Sequence, residues 1–209
     1  MSQQAPAHEW DKTFPKSDHV THEKVTFTTN FGITLAADLY KPRNAEGALP
    51  AIAVSGPFGA VKEQASGLYA QTMAERGFLT IAFDPSFTGE SGGAPRYMSS
   101  PDINTEDFLS AVDYLVCRED VDGDRVGIIG ICGWGGIALN AAAADPRIKA
   151  TLASTMYDLC RISGNGYNDS ADDAATRIAS RKLVAAQRTA DRLSGEQALT
   201  GGVADPMPD

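Results

Sequence analysis

Two segments near the start of the chain alternate apolar with polar residues. Residues 24–28 and 33–40 follow the period of two that is typical of β-strands, and residues 30–32, which include an Asn and a Gly, separate them as a turn. The pattern predicts an antiparallel hairpin.

From residue 49 onward, short continuous apolar runs alternate with longer amphipathic or Ala-rich segments. The apolar runs are typical of buried strands, and they occupy residues 49–54, 78–83, 126–129 and 148–153. The segments between them are predicted as helices over residues 62–76, 104–117 and 137–144. Strands that alternate with helices form βαβ units. The sequence therefore predicts an α/β fold with a mostly parallel sheet and helices on both of its faces.

The chain divides by composition into three parts. Residues 1–20 are predicted as a flexible lead-in, residues 21–170 as the α/β core, and residues 171–209 as a helical, cap-like segment with a polar tail. The helical segment is charged and Ala-rich, and its few larger apolar residues are Ile178, Leu183, Val184 and Leu193. It is either a cap over the core or an ordinary surface helix.

Length and charge exclude several classes of function. The 209 residues suffice for one domain with a substantial core. A formal net charge of −9 without a Lys/Arg cluster argues against nucleic acid as a partner, because phosphate binding needs a concentrated basic surface. No apolar run approaches the roughly 18 residues of a membrane span, and residues 1–16 contain no apolar stretch of a secretory signal. We therefore expect a cytoplasmic protein with no membrane partner.

The cysteines do not form a recognisable framework. Cys117, Cys132 and Cys160 are widely spaced, and no CxxC pair occurs. The His, Asp and Glu residues do not cluster with the spacing of metal ligands. We expect neither a metal nor a cofactor.

Cys132 is the strongest candidate for a chemical role. It lies between the apolar run that ends at residue 129 and the Ala-rich segment from residue 137, with Gly130 and Gly133 on either side. This is the pattern of a nucleophile elbow, a sharp strand-to-helix turn that exposes one reactive side chain. Glycines are needed there because side chains would collide with the strand and the helix. A nearby helix N-terminus would also favour the thiolate. The alternative is that Cys132 is a small buried residue.

The order of elements resembles the α/β-hydrolase fold, and in particular its cysteine-bearing, dienelactone-hydrolase-like branch. The resemblance covers about residues 24–170 and is carried by the hairpin, the loop at 55–59, the Gly-rich loop at 84–93 and the elbow at 130–136. It implies attack of Cys132 on a carbonyl carbon, with backbone N–H groups stabilising the oxyanion. The implied donors are Gly133 and Phe58, or Gly59 in its place, because Pro57 has no N–H. Trp134 departs from the small residue usual at its position, and we interpret it as part of a locally wider turn.

The resemblance also implies an acid and a histidine. The carboxylate of Glu63 either lies beside the resting thiol or is an exposed charge in the first turn of a helix. Asp158 is either a substitute acid or a turn-capping residue. In this fold the acid usually follows a seventh strand and the histidine an eighth, whereas six strands are predicted here and His8, His19 and His22 all lie near the start. We therefore expect these residues to be about the N-terminal two-thirds of a family protein.

Three functions remain open. The first is hydrolysis of ester, lactone or thioester bonds in a small acyl-containing substrate, with Cys132 as nucleophile. The second is acyl transfer on the same elbow, and the third is a catalytically degenerate module that binds a ligand or a partner. An open strand edge would in addition favour a homo-oligomer.

Overall fold

The computed structural model describes residues 10–199 of the chain. His8 and the tail from residue 200 onward lie outside the described residues. The chain consists of two compact units, Met1–Tyr157 and Asp158–Asp209.

The first unit is built on a six-stranded sheet in the order β1-β2-β4-β3-β5-β6. Its strands are β1 (Val20–Thr28), β2 (Thr34–Pro42), β3 (Leu49–Ser55), β4 (Leu79–Phe83), β5 (Val121–Ile131) and β6 (Ile148–Ser154). Its helices are α1 (Ala65–Ala74), α2 (Pro101–Val116) and α3 (Trp134–Ala144). The pairs β1–β2 and β2–β4 are antiparallel, and the remaining pairs are parallel. The predicted hairpin and the predicted α/β architecture are both confirmed.

Helices cover both faces of the sheet. Ala82 of β4 belongs to a core cluster with Ala70 of α1, whereas the ring of Phe83, the next residue along β4, lies 5.2 Å from the ring of Phe108 in α2. Neighbouring residues of a strand point to opposite faces. The helices α1 and α2 therefore lie on opposite sides of the sheet.

The described part of the lead-in differs from the flexible segment expected over residues 1–20. Thr13 N donates to the carbonyl oxygen of Glu63 at 2.9 Å, and Gln71 Nε2 donates to that of Pro15 at 3.0 Å. The Phe14 side chain is buried against α1, and β1 begins at Val20. Isolated anchors of this kind have no periodicity, so the sequence pattern does not reveal them.

The second unit contains α4 (Leu159–Asn165), a single 3₁₀ turn at Tyr167–Asp169 and α5 (Ala174–Ser194). The Asp173 side chain caps α5 by accepting a hydrogen bond from Thr176 N at 2.8 Å, and the helix ends at Gly195 with φ 77°. The helix α5 lies within residues 171–209, and the cap-like role of that segment stays a prediction. Among residues 10–199, no helix is both long and apolar enough to cross a membrane.

Candidate active site

The parallel strands bring the predicted site elements to one edge of the sheet. Ser55, the last residue of β3, pairs with Gly130, and Ile131 at the end of β5 pairs with Ser154 at the end of β6. The loops that follow these strands therefore start side by side. In open α/β sheets this carboxyl edge is where ligands bind.

Cys132 occupies a sharp turn between β5 and α3. It has φ 60°, and Gly133 has helical angles of φ −58° and ψ −28°, so that α3 begins at Trp134. Its amide nitrogen donates to the carbonyl oxygen of Ser154, and its own carbonyl accepts from Gly135 N, both at 2.9 Å. A residue with a side chain is uncommon at positive φ and is concentrated at functional sites. The turn is tight, which corrects the interpretation of Trp134 as a sign of a wider one.

Two glycines allow the chain to approach itself around Cys132. A Cβ atom on Gly130 would lie 2.2 Å from the carbonyl oxygen of Trp134, and one on Gly56 would lie 2.4 Å from that of Ile131. Both distances are far shorter than van der Waals contact. Gly130 therefore has the role that the elbow pattern predicts, and Gly56 holds the loop after β3 directly against the elbow.

Trp134 forms the contact between the elbow and the loop after β3. Its side chain is buried, and its ring lies 5.8 Å from that of Phe58, which is partly exposed. Among the described residues its Nε1 has no hydrogen-bond partner. The large side chain fits because it packs beneath the loop and leaves the helix start undisturbed.

The resemblance implies two backbone N–H groups as oxyanion donors, one in the loop after β3 and one at the start of the turn into α3. In residues 10–199, neither Phe58 N–H nor Gly133 N–H donates a hydrogen bond, whereas Cys132 N–H is bound to Ser154. A free N–H beside a nucleophile can stabilise negative charge on a substrate oxygen. The role of Gly133 and Phe58 as oxyanion donors, which the resemblance implies, stays a prediction.

Glu63 pairs with a buried lysine. Its Oε1 lies 2.7 Å from Lys62 Nζ, which also lies 3.0 Å from Asp84 Oδ2 and 2.6 Å from Glu90 Oε2. Burial opposes the ammonium charge, but the hydrogen bonds to Glu63 and Glu90 and the charge of Asp84 raise the pKa of Lys62 above its usual value. Among the described polar contacts, none joins Glu63 to Cys132.

Asp158 caps a helix in the second unit. It precedes α4, and its side chain accepts a hydrogen bond from Arg161 N at 2.9 Å. This is the turn-capping role that stood as the alternative to an acid.

The two described histidines are associated with β1. His22 Nε2 lies 2.8 Å from Asp38 Oδ1, and its ring lies 5.1 Å from the ring of Tyr40. His19 is exposed just before the strand. Because β1 is four strand positions from β5, a spacing of about 4.8 Å per strand separates them by roughly 19 Å. Neither histidine stands beside Cys132.

Two tyrosines near the elbow were not found from the sequence. Tyr69 of α1 has its hydroxyl 3.1 Å from Ser154 Oγ. Burial raises the pKa of Tyr157, and the neighbouring Cys132 sulfur raises it further. Both contacts join residues that are distant in sequence, and no local pattern signals them.

A concave region lies away from the elbow. It is an open groove of about 740 Å³ along the strands β3, β5 and β6, lined mainly by apolar side chains such as Ile52, Met73 and Leu152. No cysteine, serine or histidine lines it. In the described part of the chain, no three His, Cys, Asp or Glu side chains are placed to hold a metal ion.

The sheet order, the crossing helices and the elbow define an α/β hydrolase. Residues 32–200 match the profile of the X-Pro dipeptidyl-peptidase (S15) family, and the chain belongs to that family. A solved structure with the same fold is the alpha/beta hydrolase GrgF from Penicillium sp. sh18, which is 27% identical with a TM-score of 0.71 over 86% of this chain and 57% of that one. A dienelactone hydrolase-like promiscuous phosphotriesterase from metagenomic libraries shares the fold at 20% identity, with a TM-score of 0.54 over 68% and 61% of the two chains.

Other relatives have a higher sequence identity to this chain or match a larger share of it. Protein PA2218 of Pseudomonas aeruginosa is 58% identical over 96% of this chain and 56% of its own length. Its crystal structure covers 98% of this chain with a TM-score of 0.89, and the match takes in 66% of that chain at 57% identity. Thiohydrolase aneE of Aspergillus aculeatus is 29% identical over 88% of this chain and 56% of its own length. Acyltransferase drtE of Aspergillus calidoustus is 32% identical over 66% and 44%. The chain therefore spans little more than half the length of PA2218 and aneE.

Proposed function

We propose that this chain carries the nucleophile of a hydrolase that cleaves thioester and ester bonds, and that the nucleophile is Cys132. The observation that carries the proposal is the position of Cys132 at φ 60° between the end of β5 and the start of α3. A strained residue at this point is hard to explain by packing alone, since a free cysteine packs equally well in an ordinary conformation.

The proposed first step is acylation of the thiol. The Cys132 thiolate attacks the carbonyl carbon, a C–S bond forms, and the carbonyl oxygen takes up negative charge that the N–H groups of Gly133 and Phe58 stabilise. The carbonyl then re-forms, and the bond to the leaving group breaks. The product is a thioester on Cys132 and a free thiolate or alkoxide.

A thioester of a small acyl group is the substrate class we favour. A thiolate leaves without prior protonation, whereas the amine of a peptide must be protonated by a general acid before it leaves. Neither described histidine lies near the elbow to serve as that acid. The thiohydrolase named among the relatives supports the same class. Peptide cleavage, which the family description names, is the less favoured alternative.

The second step decides between hydrolysis and acyl transfer. Water or another nucleophile attacks the thioester on Cys132, and the thiolate leaves. The relative named as an acyltransferase makes transfer the second candidate function. Glu63 remains the candidate for the accompanying acid, and its ion pair with Lys62 is the alternative structural role. We expect acylation of this chain to be faster than deacylation, because neither described histidine lies near Cys132 to activate water as a general base.

The test is a comparison of acylation and alkylation at Cys132. The chain is mixed with p-nitrophenyl acetate to follow release of p-nitrophenolate, and with iodoacetamide at pH 7 to follow alkylation. Peptide mass spectrometry separates Cys132 from Cys117 and Cys160, which are both exposed. We expect one equivalent of p-nitrophenolate in a rapid burst, acetyl on Cys132 and slow turnover. Cys132→Ala should abolish the burst, and Cys117→Ala should leave it unchanged.

A different result would support the binding module. If acetylation of Cys132 is no faster than that of Cys117 and Cys160, the chain has no activated nucleophile there. A burst that persists in Cys132→Ala would assign the nucleophile to another residue.

A further inference from the structure

A buried ion pair ties together the loops that follow β3 and β4. The side chains of Lys62 and Asp84 are both fully buried. Asp84 Oδ1 accepts from the backbone N of Lys62 at 2.7 Å, and its Oδ2 accepts from Lys62 Nζ at 3.0 Å and from Glu90 N at 2.9 Å. Gly89 allows the last contact, since a Cβ there would lie 2.2 Å from Asp84 Oδ2. One carboxylate thus holds three donors from two loops.

Asp84 is itself held firmly. It follows Phe83 at the end of β4, and its backbone N donates to the carbonyl oxygen of Ala36 in β2 at 3.0 Å. The carboxylate is therefore fixed to the sheet, and its hydrogen bonds to Lys62 hold that residue in place.

The loop that bears Phe58 lies between two anchors. At one end Ser55 pairs with Gly130 of β5, and its Oγ donates to the carbonyl oxygen of Phe83 at 3.1 Å. At the other end Lys62 is bound to Asp84 through its backbone and its side chain. Phe58 is three residues from the first anchor and four from the second, so that its N–H direction depends on both.

We infer that Asp84 is a positioning residue for acyl transfer to Cys132: through Lys62 it fixes the loop whose Phe58 N–H receives the oxyanion. The inference rests on the proposed function. Asp84 touches no reacting atom in this role, and its effect is to keep a donor in place, which matters only when negative charge develops on a carbonyl oxygen.

Two reactions of the Cys132 thiol distinguish loss of the oxyanion donor from a general loss of thiol reactivity. Alkylation by iodoacetamide is a displacement of iodide by the Cys132 thiolate, and it forms no oxyanion. Acylation by p-nitrophenyl acetate passes through an oxyanion. We expect Asp84→Ala to slow acylation by roughly 10- to 100-fold. Its alkylation rate should change by less than about 3-fold, because the thiolate itself is not touched.

Asp107 provides a matched control. It is also fully buried and also accepts three hydrogen bonds, from Ser86 N at 2.8 Å, Ser86 Oγ at 2.6 Å and Asn104 Nδ2 at 2.9 Å, but it holds no part of the Phe58 loop. Asp107→Ala should lose stability and retain the ratio of acylation to alkylation rates. Because Asp84→Ala leaves a buried ammonium with one partner fewer, Asp84→Ala/Lys62→Met is measured beside it, with both charges removed.

The outcomes are distinct. A fall of the ratio in both Asp84→Ala and the double variant, with Asp107→Ala unchanged, supports the positioning role. A folded Asp84→Ala or double variant with an unchanged ratio, or a fall of equal size in Asp107→Ala, overturns it. Absence of acylation in the unmodified chain overturns the proposed function and the positioning role with it, and this is seen before any variant is made.

Discussion

The amide nitrogen of Cys132 donates a 2.9 Å hydrogen bond to the carbonyl oxygen of Ser154. The bond joins the elbow to the last residue of β6 and helps to hold the strained conformation at Cys132. It also removes the Cys132 N–H from the set of oxyanion donors. The proposed mechanism therefore assigns the oxyanion to the N–H groups of Gly133 and of the loop after β3.

The first prediction concerns the close approach at Gly130. In Gly130→Ala the new Cβ would lie 2.2 Å from the Trp134 carbonyl oxygen and 2.7 Å from Ala138 Cβ, so α3 must move away from β5. We expect a loss of about 1–3 kcal/mol in the free energy of unfolding and slower acylation of Cys132. Urea unfolding and the p-nitrophenolate burst measure the two effects.

Gly164→Ala is the control for this prediction. Gly164 lies in α4, and a Cβ there meets no atom within 4 Å. The change should leave the chain as stable as before or more stable by up to about 1 kcal/mol, because Ala favours a helix over Gly. Equal stability of the two variants would contradict the packing described for the elbow.

The second prediction tests the Phe58 N–H as an oxyanion donor. Phe58→Pro removes the N–H, whereas Phe58→Ala removes the ring that packs on Trp134 and keeps the donor. We expect Phe58→Pro to slow acylation of Cys132 by about 10²- to 10³-fold, and Phe58→Ala to slow it far less. The rates are read from the burst under single-turnover conditions. If the two variants acylate equally fast, the oxyanion donor is not the Phe58 N–H, and the Gly59 N–H is the next candidate.

The third prediction concerns the lead-in. Phe14 is buried, and its ring would lie 2.9 Å from a Cβ on Gly67. We expect Phe14→Ala to lower the free energy of unfolding by about 3–5 kcal/mol, because the ring leaves a cavity against α1. The exposed Asp18 is the control, and Asp18→Ala should stay within about 0.5 kcal/mol. The free energy of unfolding is measured by urea titration with circular dichroism as the signal. A similar free energy of unfolding for both variants would mean that the lead-in adds little to stability.

The fourth prediction is a pH dependence of stability through Asp38. Burial raises the pKa of this carboxyl, but the hydrogen bonds from His22 and Lys12 and their charges lower it, and the net pKa lies below the usual value. In the unfolded chain the pKa of an Asp carboxyl is about 3.9. The unfolded state therefore binds more protons in acid. The stabilisation from Asp38 is complete above that pH and is lost as the pH falls through the folded value.

The measurement is urea unfolding between pH 7 and pH 3. We expect Asp38→Asn to be less stable than the unmodified chain by about 3–5 kcal/mol at pH 7, because the buried Lys12 ammonium loses a partner. Its stability should then fall less steeply toward pH 3. Asp18→Asn should follow the curve of the unmodified chain. Parallel curves for Asp38→Asn and the unmodified chain would exclude this carboxyl as a source of acid sensitivity.

Much of the fold was predictable from local patterns. The alternation around residues 30–32 determined the hairpin, and the apolar runs determined the parallel strands, because burial of a strand imposes its pattern on consecutive residues. The glycines on either side of Cys132 likewise determined the elbow, since the steric demand of a tight turn acts on near neighbours. At these positions the cause and the sequence signal lie within a few residues of each other.

Only the tertiary structure decided which distant residues meet. The pairing of Lys62 with Asp84, the packing of Phe14 on α1 and the placement of Trp134 beneath the Phe58 loop join segments separated by tens of residues. Such contacts follow from strand order and helix packing, and a charged or aromatic residue gives no local sign of its partner. The sequence by itself therefore determined the sharp turn that carries Cys132, whereas the arrangement of the groups around that turn was decided by folding, because electrostatic and packing interactions depend on distance in space.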